Sequence, residues 1–176
     1  MNIPYLDLGK LNASMQAEIE EASLRVVRSG YYLNSLEVSS FEQHWASYNG
    51  ASYCVSTANG LDALTAILCA MKAIYHWPEN SEVIVSAHTF IASFQAITKA
   101  GLVPVPCDAD PHTYLIDTNL IAPLITARTV AIMPVHLYGR ICNMTEIKRI
   151  ALTHNLRVVA DACQAHGMCS ADDLGD

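Results

Sequence analysis

An acid closes one of the most apolar stretches of the chain, Val158-Val159-Ala160-Asp161-Ala162-Cys163-Gln164. A carboxylate at the end of a buried strand is costly unless it meets a cation or hydrogen-bond donors. One functional partner is a protonated pyridine nitrogen, whose charge the acid preserves so that the ring can accept electrons. A structural acid capping the next turn fits the spacing equally well. A second candidate is Ser56-Thr57-Ala58-Asn59-Gly60-Leu61-Asp62, which joins an expected strand to an expected helix. The first turn of a helix exposes unpaired N–H groups and a partial positive charge, and Gly60 admits close backbone approach, so a phosphate suits this turn. An ordinary strand-to-helix turn is the plainer reading. The segment is neither G-x-G-x-x-G nor a Walker loop, which argues against NAD and ATP.

Other reactive side chains give weaker signals. Cys163, His166 and Cys169 recur at three-residue intervals, but a structural zinc site wants four ligands and no second cluster supplies the fourth. His88 and His136 stand at expected strand ends, where each either faces a cleft or packs with a hydrogen bond. No G-x-S-x-G elbow occurs, and no cysteine has an assignable histidine partner.

The elements that must position these groups follow from periodicity. Short β-branched runs at 53–57, 82–86, 103–107, 129–135 and 156–161 read as buried parallel strands. Helical spacing marks 13–29, 36–48, 62–75, 90–100 and 143–154, with Asn143 as an N-cap and Ala63, Ile67, Ala70, Met71 and Ile74 as the apolar face of the third. Alternating strands and helices joined by short loops imply an α/β layer fold, a parallel sheet covered on both faces, with ligands beyond the carboxyl ends of its strands. The loops of interest are therefore 58–61, 87–89, 136–139 and the segment from Asp161.

Composition sets limits on this picture. The 176 residues amount to about one domain, and at 52% hydrophobic and 15% charged they oppose disorder. A net charge of -7 without a basic run argues against nucleic acid and against an anionic membrane surface. The longest uncharged stretch, 83–98, is too polar and too short for a membrane span, and the N-terminus lacks the pattern of a secretory signal. Six scattered cysteines with no C-x-x-C pair fit a reducing cytoplasm.

Six stretches carry a resemblance to a known family. They are Ile3-Pro4-Tyr5-Leu6-Asp7-Leu8, Ser29-Gly30-Tyr31-Tyr32-Leu33, Asn59-Gly60-Leu61-Asp62-Ala63-Leu64, Thr89-Phe90-Ile91-Ala92-Ser93, Pro134-Val135-His136-Leu137-Tyr138-Gly139 and Asp161-Ala162-Cys163-Gln164-Ala165-His166-Gly167. In this order they resemble the DegT/DnrJ/StrS family of sugar aminotransferases, which depend on pyridoxal 5'-phosphate. The resemblance implies the large domain of a fold-type I transferase. It implies that backbone at Gly60 and Leu61, beside Asn59, holds the cofactor phosphate, that Phe90 stacks on the pyridine, that Asp161 pairs with its nitrogen and that Gln164 contacts its phenolic oxygen. It further implies amino transfer from an amino acid, usually glutamate, to a nucleotide-linked keto-sugar, at a homodimer interface. Asp110-Pro111-His112-Thr113-Tyr114-Leu115-Ile116-Asp117 favours the branch acting on dTDP-linked 3-keto-6-deoxyhexoses.

Two departures matter. Asn34-Ser35 follows Leu33 where the family commonly has glycine. The family's Schiff-base lysine follows a Gly-Asp pair like Gly175-Asp176, and Lys10, Lys72, Lys99 and Lys148 match nothing around it. The resemblance therefore implies that residues 1–176 are an N-terminal segment and part of the large domain, without the small C-terminal domain and without catalysis of their own. A sugar dehydratase of the same family, or a non-catalytic paralogue that dimerises or binds ligand, is the alternative.

Overall fold

The computed structural model describes residues 4–168. Cys169 and the Gly175-Asp176 pair lie outside them, as does Ile3. The chain forms two compact units, Met1–Val55 and Ser56–Asp176.

The first unit is helical: α1 (Leu8–Ala13), α2 (Gln16–Ser29) and α3 (Leu36–Tyr48). The single helix expected over 13–29 is preceded by a short separate one, because Asp7 caps α1 by accepting from the Lys10 N–H at 2.9 Å and the turn at Ser14 interrupts the run. Gly30 ends α2 in the left-handed region at φ 70°, a position that favours glycine. Arg25 bridges to Glu37 at 2.6 Å. Along α3, Phe41 stacks on Trp45 at 5.7 Å between ring centroids. Only Ala46 among the residues of these helices is buried.

The second unit is built on a four-stranded parallel sheet in the order β2-β1-β3-β4. Its strands are β1 (Glu82–Ser86), β2 (Val103–Cys107), β3 (Thr129–Met133) and β4 (Arg157–Val158), and its helices are α4 (Gly60–Ile74), α5 (Ala92–Lys99), α6 (Ile121–Leu124) and α7 (Met144–Thr153). Alternation along the strands feeds two separate cores. Val83, Val85, Ala131 and Met133 pack with Leu64 and Leu68 of α4 and Ala96 and Ile97 of α5. Ile84 and Ile132, from the same strands, point the other way and join Ile121 of α6 and Ile147 and Ile150 of α7. Each fully buried aliphatic chain contributes about 1.5–3 kcal/mol of transfer free energy, so neither face of the sheet can be left bare.

The ladder between β3 and β4 runs past the regular strands. Val159 N–H donates to Ile132 O at 3.0 Å, Asp161 N–H to Pro134 O at 2.9 Å and His136 N–H to Asp161 O at 2.9 Å. The extended readings over 129–135 and 156–161 thus describe one continuous hydrogen-bonded track. At the opposite edge, Val103 N–H and Cys107 C=O both face β1, so Pro104 and Pro106 occupy the outward-facing positions of β2. Proline has no N–H to offer a further strand there.

Two expectations are corrected. Residues 53–57 form no strand and no β-ladder among the described residues, and Tyr53 and Val55 are 89% and 80% exposed. A β-prone sequence becomes a strand only when a neighbour accepts its ladder. In α4 the buried face is Leu64 and Leu68, flanked by Leu61 and Met71, whereas Ile67 and Ile74 are exposed. The helix is apolar on nearly every side, so its periodicity does not select a face. No helix among the described residues is long and apolar enough to cross a membrane.

Candidate functional site

The chain leaves β1 for β2 on one side and later reaches β3 on the other, so the loops following β1 and β3 diverge at the carboxyl end of the sheet. Such a switch point opens a crevice. A cavity of about 380 Å³ lies here, bounded by the start of α4, the loop after β1, the loop after β3 and the segment beyond β4. Its volume is in the range of small-molecule sites. Asn59, Gly60, Leu61, Phe90, Asp161 and Gln164 all line it.

Asn59 caps α4. Its Oδ1 accepts from the Asp62 N–H at 2.9 Å, and its Nδ2 returns a hydrogen bond to Asp62 Oδ2, also at 2.9 Å. The cap consumes the third N–H of the helix and leaves those of Gly60 and Leu61 without an intrahelical carbonyl. Space is tight at Gly60: a Cβ built there would stand 2.9 Å from Cys163 Sγ. The start of α4 and the segment after Asp161 therefore approach so closely that any side chain at position 60 would displace the Cys163 thiol.

Asp161 is 7% exposed. Its Oδ2 accepts from Ser93 Oγ at 2.8 Å and its Oδ1 from the Cys163 N–H at 3.2 Å. Both donors are neutral, and none of the ion pairs among the described residues includes Asp161. Burial, and then the neighbouring carboxylate, push the Cys163 thiol up to about 11, so it stays protonated and is a poor nucleophile near neutral pH.

Gln164 is oriented by backbone. Its Oε1 accepts from the Tyr138 N–H at 3.0 Å, and since an N–H can only donate, the side-chain NH₂ faces the other way as a donor. Its own carbonyl accepts from Gly139 N–H at 3.0 Å. Tyr138 holds this geometry in the left-handed region at φ 57°, and its hydroxyl meets His88 Nε2 at 3.2 Å. Phe90 lines the cavity and is 72% exposed. His136 lines the cavity but is buried, with its Nδ1 accepting from the Cys142 N–H at 3.3 Å. Among the described residues, no group of three His, Cys, Asp or Glu side chains is placed to hold a metal.

The residues that sequence reasoning passed over are those that orient others. Ser93, fully buried, and Thr89, whose Oγ1 lies 3.0 Å from Ser93 Oγ, are four residues apart at the two ends of the Thr89-Phe90-Ile91-Ala92-Ser93 stretch. Their i, i+4 spacing is the signal that could have found them. The Tyr138 N–H carries no side-chain signal at all. None of the four lysines lines the cavity.

The profile of the DegT/DnrJ/EryC1/StrS aminotransferase family matches residues 13–175. The dTDP-3-amino-3,6-dideoxy-alpha-D-galactopyranose transaminase of Aneurinibacillus thermoaerophilus is 49% identical over 165 residues, covering 94% of this chain and 44% of that protein. Among solved structures, S. venezuelae DesV in complex with a ketimine intermediate aligns with TM-score 0.86 at 38% identity, over 94% of this chain and 43% of its own. NtdA from Bacillus subtilis with bound cofactor PMP aligns with TM-score 0.85 at 31% identity, over 97% and 38% respectively. The chain thus spans less than half the length of these relatives.

Proposed function

Since the chain belongs to the DegT/DnrJ/EryC1/StrS aminotransferase family, we propose that it supplies the pyridoxal-phosphate-binding part of a nucleotide-sugar transaminase. The observation that carries this reading is Asp161, a buried carboxylate whose partners among the described residues are neutral, sharing one cavity with the open start of α4 and an exposed aromatic ring. A buried acid of this kind suits a protonated pyridine nitrogen, and the Gly60 approach makes a cradle that a Cβ would fill. The residues fit the group.

In this assignment the Gly60 and Leu61 N–H groups hold the phosphate, Phe90 stacks on the ring, Asp161 retains the proton on its nitrogen and the Gln164 NH₂ donates to its phenolic oxygen. Bound there, the cofactor supplies an electron sink for moving an amino group between carbons. Leu61, Leu64 and Ile91 give the cavity an apolar wall that keeps water from the ring. The covalent step and the proton relay belong to a lysine, and no lysine lines this cavity. The amino donor is an amino acid such as glutamate, the acceptor a keto-sugar carried on a nucleotide, and the assembly a cytoplasmic homodimer.

Titration of the 176-residue chain with pyridoxal phosphate, followed by cofactor absorbance, tests the reading. Saturable binding is expected, weakened about 10- to 100-fold in Asp161→Asn because a charge-assisted hydrogen bond is lost. Absence of saturation, or equal binding by the variant, overturns it. Incubation with glutamate and a dTDP-linked 3-keto-6-deoxyhexose is expected to give no amino sugar. Turnover by the chain alone would refute the lysine assignment, and a dehydrated sugar would point to the dehydratase reading instead.

A further inference from the structure

We propose that Ser93 is a positioning residue for the cofactor site, the inner member of a two-hydroxyl relay that fixes Asp161 against the ring nitrogen; the inference rests on the cofactor reading above. Ser93 is 0% exposed and lies in the first turn of α5, on the loop-helix unit that follows β1. Asp161 lies beyond β4, across the intervening β3, so their 2.8 Å hydrogen bond ties together two walls of the cavity that the sheet alone keeps apart.

The direction of the relay follows from proton counting. Ionised Asp161 can only accept, so the single hydroxyl proton of Ser93 is committed to Oδ2. In the 3.0 Å contact between Thr89 Oγ1 and Ser93 Oγ, the donor must then be Thr89. The order is Thr89 to Ser93 to Asp161, and donation into Ser93 strengthens its own donation to the carboxylate. The Cys163 N–H holds the other oxygen at 3.2 Å, so the plane of the carboxylate is set from two sides. Phe90 lies between Thr89 and Ser93 in sequence, and the same short segment therefore presents the stacking ring and fixes the acid.

Pyridoxamine phosphate labelled with ¹⁵N in its ring is the appropriate probe, because it binds without a lysine and its nitrogen shift reports ring protonation directly. Ser93→Ala is expected to weaken its binding about tenfold, by loosening one hydrogen bond to a charged group, and to lower the pH at which the bound ring nitrogen loses its proton. Ser93→Thr, which keeps the hydroxyl, is expected to restore both. Thr89→Val removes only the outer link and is expected to shift both readouts in the same direction by about two- to threefold in affinity. It also carries the test should Ser93→Ala fail to fold.

Identical affinity and an identical ¹⁵N profile in a folded Ser93→Ala chain overturn the inference while leaving the cofactor reading standing, and so does an unshifted Thr89→Val. Failure of the unsubstituted chain to bind the probe overturns the cofactor reading and this inference with it. A change confined to thermal stability, with the nitrogen profile unmoved, makes Ser93 a packing residue and refutes the assignment.

Discussion

Glu82 enters β1 at the amino end of the sheet and Asp161 closes the β3–β4 track at the carboxyl end, and both are shut away from solvent, at 4% and 7% exposed. Their surroundings differ in kind. Glu82 Oε2 accepts from Thr126 Oγ1 at 2.5 Å, its Oε1 pairs with the Arg128 guanidinium, and Thr129 Oγ1 adds a longer contact at 3.4 Å. Asp161 accepts from neutral donors on both oxygens, and no cation among the described residues pairs with it. A buried charge that the protein neutralises serves the fold; one held in place and left without a counter-charge keeps its electrostatic capacity for something else. The contrast separates an acid whose partners include a cation from one whose partners among the described residues are all neutral, and it does so without reference to any relative.

The sharpest way to break that contrast is to neutralise each acid in turn. Asp161→Asn is expected to cost up to about 100-fold in pyridoxal phosphate affinity while lowering the urea midpoint less than Glu82→Gln does, since one acceptor is lost but no partner charge is stranded. Glu82→Gln is expected to do the reverse, losing about 1–3 kcal/mol of stability with cofactor affinity intact. Equal destabilisation by both changes, read from paired denaturation curves, would erase the distinction.

Acid sharpens the same comparison. The Thr126 hydroxyl, with the Arg128 guanidinium beside it, holds the Glu82 carboxyl below its ordinary range against the opposing effect of burial. Because the folded value is the lower one, this contribution is complete above the unfolded value of about 4.3 and is lost as pH falls through the folded value. Denaturant midpoints for the unsubstituted chain are expected to fall over that acidic window, and Glu82→Gln should flatten the slope. A slope unchanged by the substitution would remove Glu82 from the account.

A smaller effect is expected at the turn facing Asp161. Gly60→Ala brings a Cβ within 2.9 Å of Cys163 Sγ, which must shift to make room. The helix gains about 0.5–1 kcal/mol of propensity, so stability should change little while phosphate-dependent binding falls several-fold. Comparing pyridoxal phosphate with dephosphorylated pyridoxal checks it: a loss common to both would place the damage at the ring and not at the phosphate turn.

Much of this was legible in the chain itself. The strands at 82–86 and 103–107 coincide with β1 and β2 because β-branched runs bounded by turns have few other ways to bury themselves. Asp161 and the Gly60 turn stand out because an acid and a glycine are conspicuous against an apolar background, whereas Phe90 and Gln164 come only from the family resemblance. What could not be read depends on partners remote in sequence. Residues 53–57 have the composition of a strand, but composition does not supply a neighbour. The buried face of α4 is chosen by the sheet beneath it, since apolar side chains stand on several sides. Ser93 looks like a small helical residue until Asp161, 68 positions later, is set 2.8 Å away.

Pro104 and Pro106 bear on how the sheet can enlarge. With both outward amides of β2 replaced by rings, that margin offers no N–H at these two positions to another extended segment, whether from this polypeptide or from a neighbour. Accretion is thereby polarised: the Arg157–Val158 flank, nearest the acid, is the better-equipped margin for a further strand, and the proline-bearing flank is blunted against edge-to-edge aggregation.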